Sequence, residues 1–180
     1  MSVDYSEKIL TVKDLEVQFN LRGQVLTAIR GISLDIYKGE SLAIVGESGS
    51  GKSVFTKTFM GMLDKNGKVT KGEILYNGMD LAKFGSEKDW LKIRGREIAM
   101  VFQDPMTSLN PLKTIGKQIQ EAVELHQGLK GKDAYQAVLE VLSDVGIDDP
   151  ERRYKQYPHE FSGGMRQRVV SAIAVACRPK

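Results

Sequence analysis

Eight residues early in the chain, GESGSGKS at 46–53, have the types and the spacing that hold phosphate groups. They fit the pattern G-x-x-x-x-G-K-S/T. The three glycines of this stretch, Gly46, Gly49 and Gly51, would take positive φ angles so that successive backbone N–H groups point at an anion. Lys52 would bring a mobile charge to the β- and γ-phosphates of a nucleotide, and the Ser53 hydroxyl would ligate Mg²⁺. The alternative is a glycine-rich turn that binds nothing. This predicted phosphate loop, with the helical residue after it, comprises Gly46, Glu47, Ser48, Gly49, Ser50, Gly51, Lys52, Ser53 and Val54.

A second stretch that could hold an anion lies much later in the chain, FSGGMRQR at 161–168. Ser162 is a good N-cap for a helix, and the backbone N–H groups of Gly163 and Gly164 would lie at the start of that helix, where an anion is stabilised. Taken alone, the stretch favours a capped helix with a flexible start over an anion site. Its interpretation depends on what precedes it.

Strands are predicted to position the phosphate loop. Apolar residues alternate in LEVQF at 15–19 and in GISLDI at 31–36, which is typical of half-buried strands. SLAIVG at 41–46 and REIAMVFQD at 96–104 are apolar almost throughout, which indicates strands buried on both faces. GEILYNG at 72–78 predicts a short strand that ends in an Asn-Gly turn.

Helical periodicity dominates after Pro111. One predicted helical face consists of Ile115, Ile119, Ala122 and Leu125, and another of Ala134, Val138, Val141, Leu142 and Val145. GLKGK at 128–132 separates the two helices. We therefore predict a nucleotide-binding β/α core over 1–104, a helical subdomain over 105–160 and a helix over 161–180 that returns to the core.

Composition excludes several classes of protein. The chain has 26 Lys and Arg against 23 Asp and Glu, and this net charge of +3 is too small and too evenly spread to indicate a nucleic-acid partner. The single cysteine, Cys177, excludes an internal disulfide and lies in an apolar stretch where a buried thiol is expected. Because no signal peptide and no apolar run of about 20 residues is recognisable, we expect a cytoplasmic chain that reaches a membrane through a partner.

The order of these motifs resembles the nucleotide-binding domain of ABC ATPases. GESGSGKS is followed by VFQDP at 101–105 and then by FSGGMRQR, where that family carries its LSGGQ signature. IRGREIAMVFQDPMTSLNP at 93–111 and YPHEFSGGMRQR at 157–168 are similar to stretches of the oligopeptide, dipeptide and nickel importers, which tolerate Phe161 and Met165 in the signature. The resemblance implies an α/β fold of the P-loop NTPase type: a mixed sheet with an N-terminal antiparallel β region and a helical subdomain, incomplete at the C-terminal end.

The resemblance gives the second stretch a purpose. Two nucleotide-binding domains of this family pair head to tail, and each ATP lies between the phosphate loop of one domain and the signature of the other. The residues that would face the nucleotide of a second subunit are Ser162, Gly163, Gly164 and Met165.

Two further roles follow from the resemblance. Gln103, at the position of the family's Q-loop glutamine, would reach Mg²⁺ or the attacking water, which makes it the catalytic candidate and, with Ser53, a metal ligand. The alternative is a polar residue that ends a strand. Phe19 would stack on adenine, while its alternation with Leu15 and Val17 also suits a residue of the core.

Two catalytic parts of the family are not found between Met1 and Lys180. These are a strand ending in Asp-Glu, whose glutamate polarises the attacking water, and a switch histidine, and the family carries both after the signature. We therefore expect an N-terminal part of an ATPase subunit, with weak nucleotide binding and negligible turnover. We also expect exposed apolar side chains at 41–46, with self-association, a domain swap or loss of order around the phosphate loop as the result.

The function implied is that of the ATP-binding subunit of a peptide importer, peripheral to the cytoplasmic face of the membrane. Its cofactors would be ATP and Mg²⁺. Its partners would be a second ATP-binding subunit, identical or not, transmembrane permease subunits and, indirectly, a solute-binding protein. The alternatives are an ABC-type ATPase of DNA repair or translation and a nucleotide-binding module without activity. The transported solute cannot be read from an ATP-binding subunit.

Overall fold

The computed structural model describes residues 3–102 and 108–180. The chain divides into two compact units, Met1–Leu91 and Lys92–Lys180. The first consists mainly of a β-sheet and the second of helices, so the predicted antiparallel β region and helical subdomain are both confirmed. The finer boundaries at 104 and 160 stay predictions.

The sheet of the first unit has four strands in the order β2-β1-β3-β4, and all its pairs are antiparallel. The strands are β1 (Asp4–Leu21), β2 (Gln24–Lys38), β3 (Gly67–Tyr76) and β4 (Met79–Asp80). In β1, the buried side chains change from even positions, Leu10 and Val12, to odd ones, Leu15 and Val17. A break in register between Val12 and Leu15 accounts for the change, because one extra residue in a bulge returns the alternation to the same face.

Two tight turns connect neighbouring strands. Arg22 (φ 51°) and Gly23 (φ 86°) join β1 to β2, and Asn77 (φ 46°) and Gly78 (φ 78°) join β3 to β4. Both residues of each turn lie in the left-handed region, as two-residue hairpin loops require. The predicted Asn-Gly turn is therefore confirmed.

Asp80 fixes the end of the β3–β4 hairpin. Its Oδ1 accepts hydrogen bonds from the backbone N–H groups of Ile74 and Ala82, both at 3.1 Å, and its Oδ2 lies 3.0 Å from Nζ of Lys83. Burial by itself would raise the pKa of Asp80, but these bonds outweigh it and the pKa lies below its ordinary value. A short 3-10 helix (Leu81–Lys83) and α2 (Glu87–Trp90) follow.

In the described part of the second unit, four helices pack around one apolar core. They are α3 (Ile115–Gln127), α4 (Gly131–Asp144), α5 (Pro150–Tyr154) and α6 (Gly163–Ala176), with a 3-10 turn at Pro158–Glu160. Of the predicted faces, every residue but one is buried or packs against this core. Leu125 is the exception, because it is 77% exposed and Val123 is buried instead. Val123 lies one helical turn after Ile119 and so shares its face, whereas Leu125 lies six residues after Ile119 and faces away.

Two predicted buried strands are not strands in the structure. Residues 41–46 and 99–102 have no regular secondary structure and are not paired with any described strand. Of the rest of the second segment, Arg96 and Glu97 lie in a turn, Ile98 makes an isolated bridge with Arg94, and Gln103 and Asp104 lie outside the described residues. A strand forms only where a neighbour satisfies its backbone N–H and C=O groups. The apolar side chains at 41–46 are exposed, as expected, and Val45 reaches 90%.

Candidate functional site: two helix starts that could hold phosphate

The phosphate loop leads into α1 (Lys52–Thr58), a helix of two turns. Gly49 (φ 82°) and Gly51 (φ 90°) lie in the left-handed region, as predicted. Gly46 does not, so the expectation of a positive φ at this position is wrong. A Cβ built there would lie 2.8 Å from Oγ of Ser50, so a side chain at 46 would make the Ser50 hydroxyl rotate away.

Gly51 brings the loop against β2. A Cβ at this position would lie 2.9 Å from Cδ1 of Ile29 and 3.0 Å from the carbonyl oxygen of Ala28. The carbonyl belongs to a paired strand and cannot move away easily. Glycine at 51 therefore satisfies two demands, a left-handed conformation and backbone contact with the sheet.

Lys52 folds back over the loop that precedes it. Its Nζ donates to the carbonyl oxygens of Gly46 at 2.7 Å and Glu47 at 2.6 Å, and it lies 3.3 Å from Oγ of Ser50. These contacts hold the ammonium against the loop. The first N–H groups of α1 have no acceptor within the helix, and together with this ammonium they form a donor set that fits phosphate oxygens.

Ser53 and Gln103 were predicted as metal ligands. The Ser53 side chain is exposed at the start of α1, where a hydroxyl can reach a cation bound to phosphate. Gln103 lies outside the described residues. Within 3–102 and 108–180, His, Cys, Asp and Glu do not form a group of three that could hold a metal ion.

Phe19 borders a surface cavity in the first unit. Whereas Leu15 and Val17 are fully buried, the Phe19 ring is half-buried and lines a cavity of about 500 Å³. The other lining residues are Gln18, Asn20, Val25, Lys65, Asn66, Gly67 and Lys68. The ring is thus open on one side, unlike its neighbours on the strand, and adenine stacking stays a prediction.

The second helix start is in the helical unit. Ser162 caps α6, and its Oγ accepts a hydrogen bond of 3.4 Å from the backbone N–H of Met165. Ser162, Gly163 and Gly164 are exposed, and a Cβ added to either glycine would meet no atom within 4 Å. The predicted capped helix is confirmed, and the residues at its start are exposed.

Packed side chains fix the residue before this helix. Phe161 is 2% exposed, and the guanidinium of Arg153 lies 5.5 Å from the centre of its ring. Nε of Arg166 donates to the Phe161 carbonyl oxygen at 2.9 Å. The start of α6 is therefore anchored on both sides, a feature that reasoning from the sequence missed. The basic residues of RRY and MRQR, on either side of Phe161, were the sequence feature that could have indicated this anchoring.

The helices of the described ranges include none with both the length and the apolar character needed to cross a bilayer. The sequence comparison extends over both helix starts, because a family model described as "ABC transporter" matches residues 29–180.

Similar proteins are found among both sequences and solved structures. The chain is 57% identical over 171 residues to the oligopeptide transport ATP-binding protein AmiE of Streptococcus pneumoniae, covering 95% of this chain and 48% of that protein. It is 52% identical to the dipeptide transport ATP-binding protein DppD of Bacillus subtilis, covering 96% of this chain and 52% of that protein. The chain thus spans about half the length of these relatives. A dimeric structure of the ATP-binding cassette MJ0796 with ADP and Pi has a TM-score of 0.81 at 28% identity, covering 94% of this chain and 70% of that one.

Proposed function

We propose that this chain, which belongs to the ABC transporter family, is part of the ATP-binding subunit of a peptide importer. The observation that carries the proposal is the pairing, in one chain, of a phosphate loop with Lys52 held across it and an exposed Ser162–Gly163–Gly164 helix start. The peptide class is supported by the identity of 57% to an oligopeptide transport ATP-binding protein.

The phosphate loop would bind the triphosphate of ATP. Lys52 would exchange its carbonyl partners, Gly46 and Glu47, for oxygens of the β- and γ-phosphates, a small movement because the ammonium already lies on the loop. Ser53, with Gln103, would hold Mg²⁺, which neutralises charge on the phosphates when bound. Phe19 would stack on the base.

The start of α6 would bind the nucleotide held by a second subunit. Ser162, Gly163 and Gly164 are exposed there, and a helix N-terminus is stabilised by negative charge. ATP would then join two subunits head to tail, and loss of the γ-phosphate would release them. Further partners would be permease subunits and, through them, a solute-binding protein, at the cytoplasmic face of the membrane.

We also propose that these 180 residues bind ATP without turning it over. Phosphoryl transfer to water requires a residue that orients the attacking water, and Gln103 alone does not supply a general base. Steady-state ATPase measurement tests this directly. Turnover of about one per second, the lower end of ordinary rates for phosphoryl transfer, would refute it.

Binding itself is tested with Lys52→Ala and a matched control, Lys117→Ala, on the exposed side of α3. A charge-assisted hydrogen bond contributes about 1.5–3 kcal/mol, so Lys52→Ala is expected to weaken Mg-ATP binding roughly tenfold or more. Lys117→Ala should leave the affinity unchanged. The proposal fails if the wild-type chain does not bind Mg-ATP, or if both variants bind it equally well.

A further inference from the structure

We infer that Gly67 and Asn66, at the start of β3, are positioning residues that hold the ring of Phe19 at the edge of its cavity so that it can stack on a nucleobase. The inference rests on the proposed function, because it requires a nucleotide on the phosphate loop. It adds two residues that none of the sequence motifs includes.

Gly67 sets the place of the ring by its lack of a side chain. Phe19 and Gly67 are directly paired across β1 and β3. A Cβ at 67 would lie 2.5 Å from Cε1 of Phe19 and 2.9 Å from both Cδ1 and Cζ. No real Cβ makes contacts this short, so any larger residue would force the ring out of its present position.

The backbone of Gly67 does not itself require glycine. Its φ lies outside the left-handed region, in contrast to twelve other glycines among the described residues. Alanine at 67 would therefore be compatible with the main chain, and the three atoms nearest to its Cβ would all belong to the Phe19 ring. This makes Gly67→Ala a clean steric probe.

Asn66 fixes the residue that follows Phe19. The backbone N–H of Asn20 donates to the carbonyl oxygen of Asn66 at 2.9 Å, and Nδ2 of Asn66 donates to the carbonyl oxygen of Asn20 at 3.1 Å. The Asn20 side chain also accepts a bond of 3.2 Å from the N–H of Gly23 in the hairpin turn. Asn20 is thus held at three atoms, which leaves the adjoining Phe19 backbone little freedom.

The cavity lies at a suitable distance from the phosphate loop along β2. Val25 lines the cavity, and the Ala28 carbonyl, three residues later, contacts Gly51 of the loop. Three residues of strand cover about 10 Å. This matches the separation of base and phosphates in an extended nucleoside triphosphate, so one molecule can reach the loop and Phe19 together.

The test compares two probes on the full chain, Mg-ATP and inorganic tripolyphosphate with Mg²⁺, which has phosphates but no base. Stacking on an aromatic side chain accounts for roughly fivefold or more in affinity. We expect Gly67→Ala to weaken ATP binding about fivefold and to leave tripolyphosphate binding unchanged. The matched control is Gly85→Ala, since Gly85 also lacks a positive φ and a Cβ there would meet no atom within 4 Å.

A double-mutant cycle separates positioning from a general structural effect. In a Phe19→Leu background, Gly67→Ala should cause no further loss of ATP affinity. Asn66→Ala, at an exposed side chain, should weaken ATP binding about twofold and leave tripolyphosphate binding unchanged. If Gly67→Ala lowers the thermal stability, Asn66→Ala is the variant that tests the positioning of Phe19.

The outcomes distinguish the inference from the function on which it rests. A wild-type chain that binds neither probe removes both. If the wild type binds both probes, three results would overturn the inference alone. These are an unchanged ATP affinity in Gly67→Ala and Asn66→Ala, an equal weakening of both probes, or an effect of Gly67→Ala that is as large in the Phe19→Leu background as in the wild type.

Discussion

The phosphate loop and the start of α6 present the same chemistry, free backbone N–H groups at a helix start, but they are built differently. The phosphate loop depends on main-chain conformation: two glycines lie at positive φ, and the Lys52 ammonium bonds to loop carbonyls. The start of α6 depends on packed side chains, with Phe161 buried under Arg153 and tied to Arg166. A Cβ on either of its own glycines would meet no atom within 4 Å.

This difference explains why the sequence predicts the phosphate loop as a whole, whereas for the start of α6 it predicts the Ser162 cap but not the packing of Phe161. Main-chain conformation is determined by neighbouring residues in the sequence, so eight consecutive residues are enough to predict the loop. Packing is not local, because Arg153 and Phe161 belong to different elements. The comparison also predicts how each site should fail: the loop by changes of backbone conformation, the start of α6 by loss of core packing.

The largest effect is expected from Phe161→Ala. Removing a buried phenylalanine leaves a cavity and costs about 3–5 kcal/mol of unfolding free energy. Because the phosphate loop belongs to the other unit, ATP affinity should stay within about twofold of wild type, or roughly 0.4 kcal/mol. Amide hydrogen exchange in α6 measures the first effect, and Leu125→Ala, at an exposed site, should change stability by no more than about 0.5 kcal/mol. Equal destabilisation by Phe161→Ala and Leu125→Ala would show that the start of α6 does not depend on the packing of Phe161.

An intermediate effect is expected from alanine at the two loop glycines. Gly49→Ala forces a non-glycine residue to positive φ in open space and should cost about 1 kcal/mol. Gly51→Ala adds a collision with the Ala28 carbonyl and should cost about 2–3 kcal/mol, with a larger loss of ATP affinity. Thermal unfolding and ATP titration of both variants show which substitution costs more stability and more ATP affinity. A greater loss of stability and ATP affinity in Gly49→Ala than in Gly51→Ala would show that the contact of Gly51 with β2 is unimportant.

The smallest effect concerns acid and the first unit. Although burial raises the pKa of Asp80, its bonds with Lys83, Ile74 and Ala82 lower it overall, so its contribution to stability is present above the unfolded-state pKa of about 3.9. That contribution is lost as pH falls through the folded-state pKa. Asp80→Asn should therefore be less stable at neutral pH and should lose less stability on acidification. The stability of this unit is measured by the fluorescence of Trp90, which is the one tryptophan of the chain and is buried in this unit. An unchanged pH dependence in the variant would contradict the assignment.

Much of the fold could be predicted because its determinants are local. Alternation at 15–19 and 31–36 predicted β1 and β2, the Asn77–Gly78 pair predicted a hairpin turn, and Ser162 predicted the start of α6. Each of these depends on residues within one element or one turn. The predicted fold class is confirmed by the shared fold with an ATP-binding cassette.

The errors have a common physical origin in partners that a local pattern does not contain. Residues 41–46 have the composition of a buried strand, but a strand needs a hydrogen-bonded neighbour, and the described strands pair elsewhere. Spacing alone predicts a buried Leu125, but Leu125 is exposed and Val123 is buried in the core. Gly46 does not have a positive φ and lies beside the Ser50 side chain, a conformation and a contact that a motif does not specify.

The central claim is that the start of α6 binds a nucleotide held by another copy of the chain or by a close relative of it. The most direct measurement is the mass of the chain by light scattering, with and without Mg-ATP, for wild type, Gly164→Ala and Gly164→Asp. A side chain at 164 meets no atom within 4 Å, and an acidic residue suits the first turn of a helix, so both variants should fold. The account predicts that Mg-ATP shifts wild type and Gly164→Ala to a dimer, while Gly164→Asp binds ATP normally and does not dimerise. The account would be contradicted if Gly164→Asp formed an ATP-dependent dimer as tightly as the wild type does.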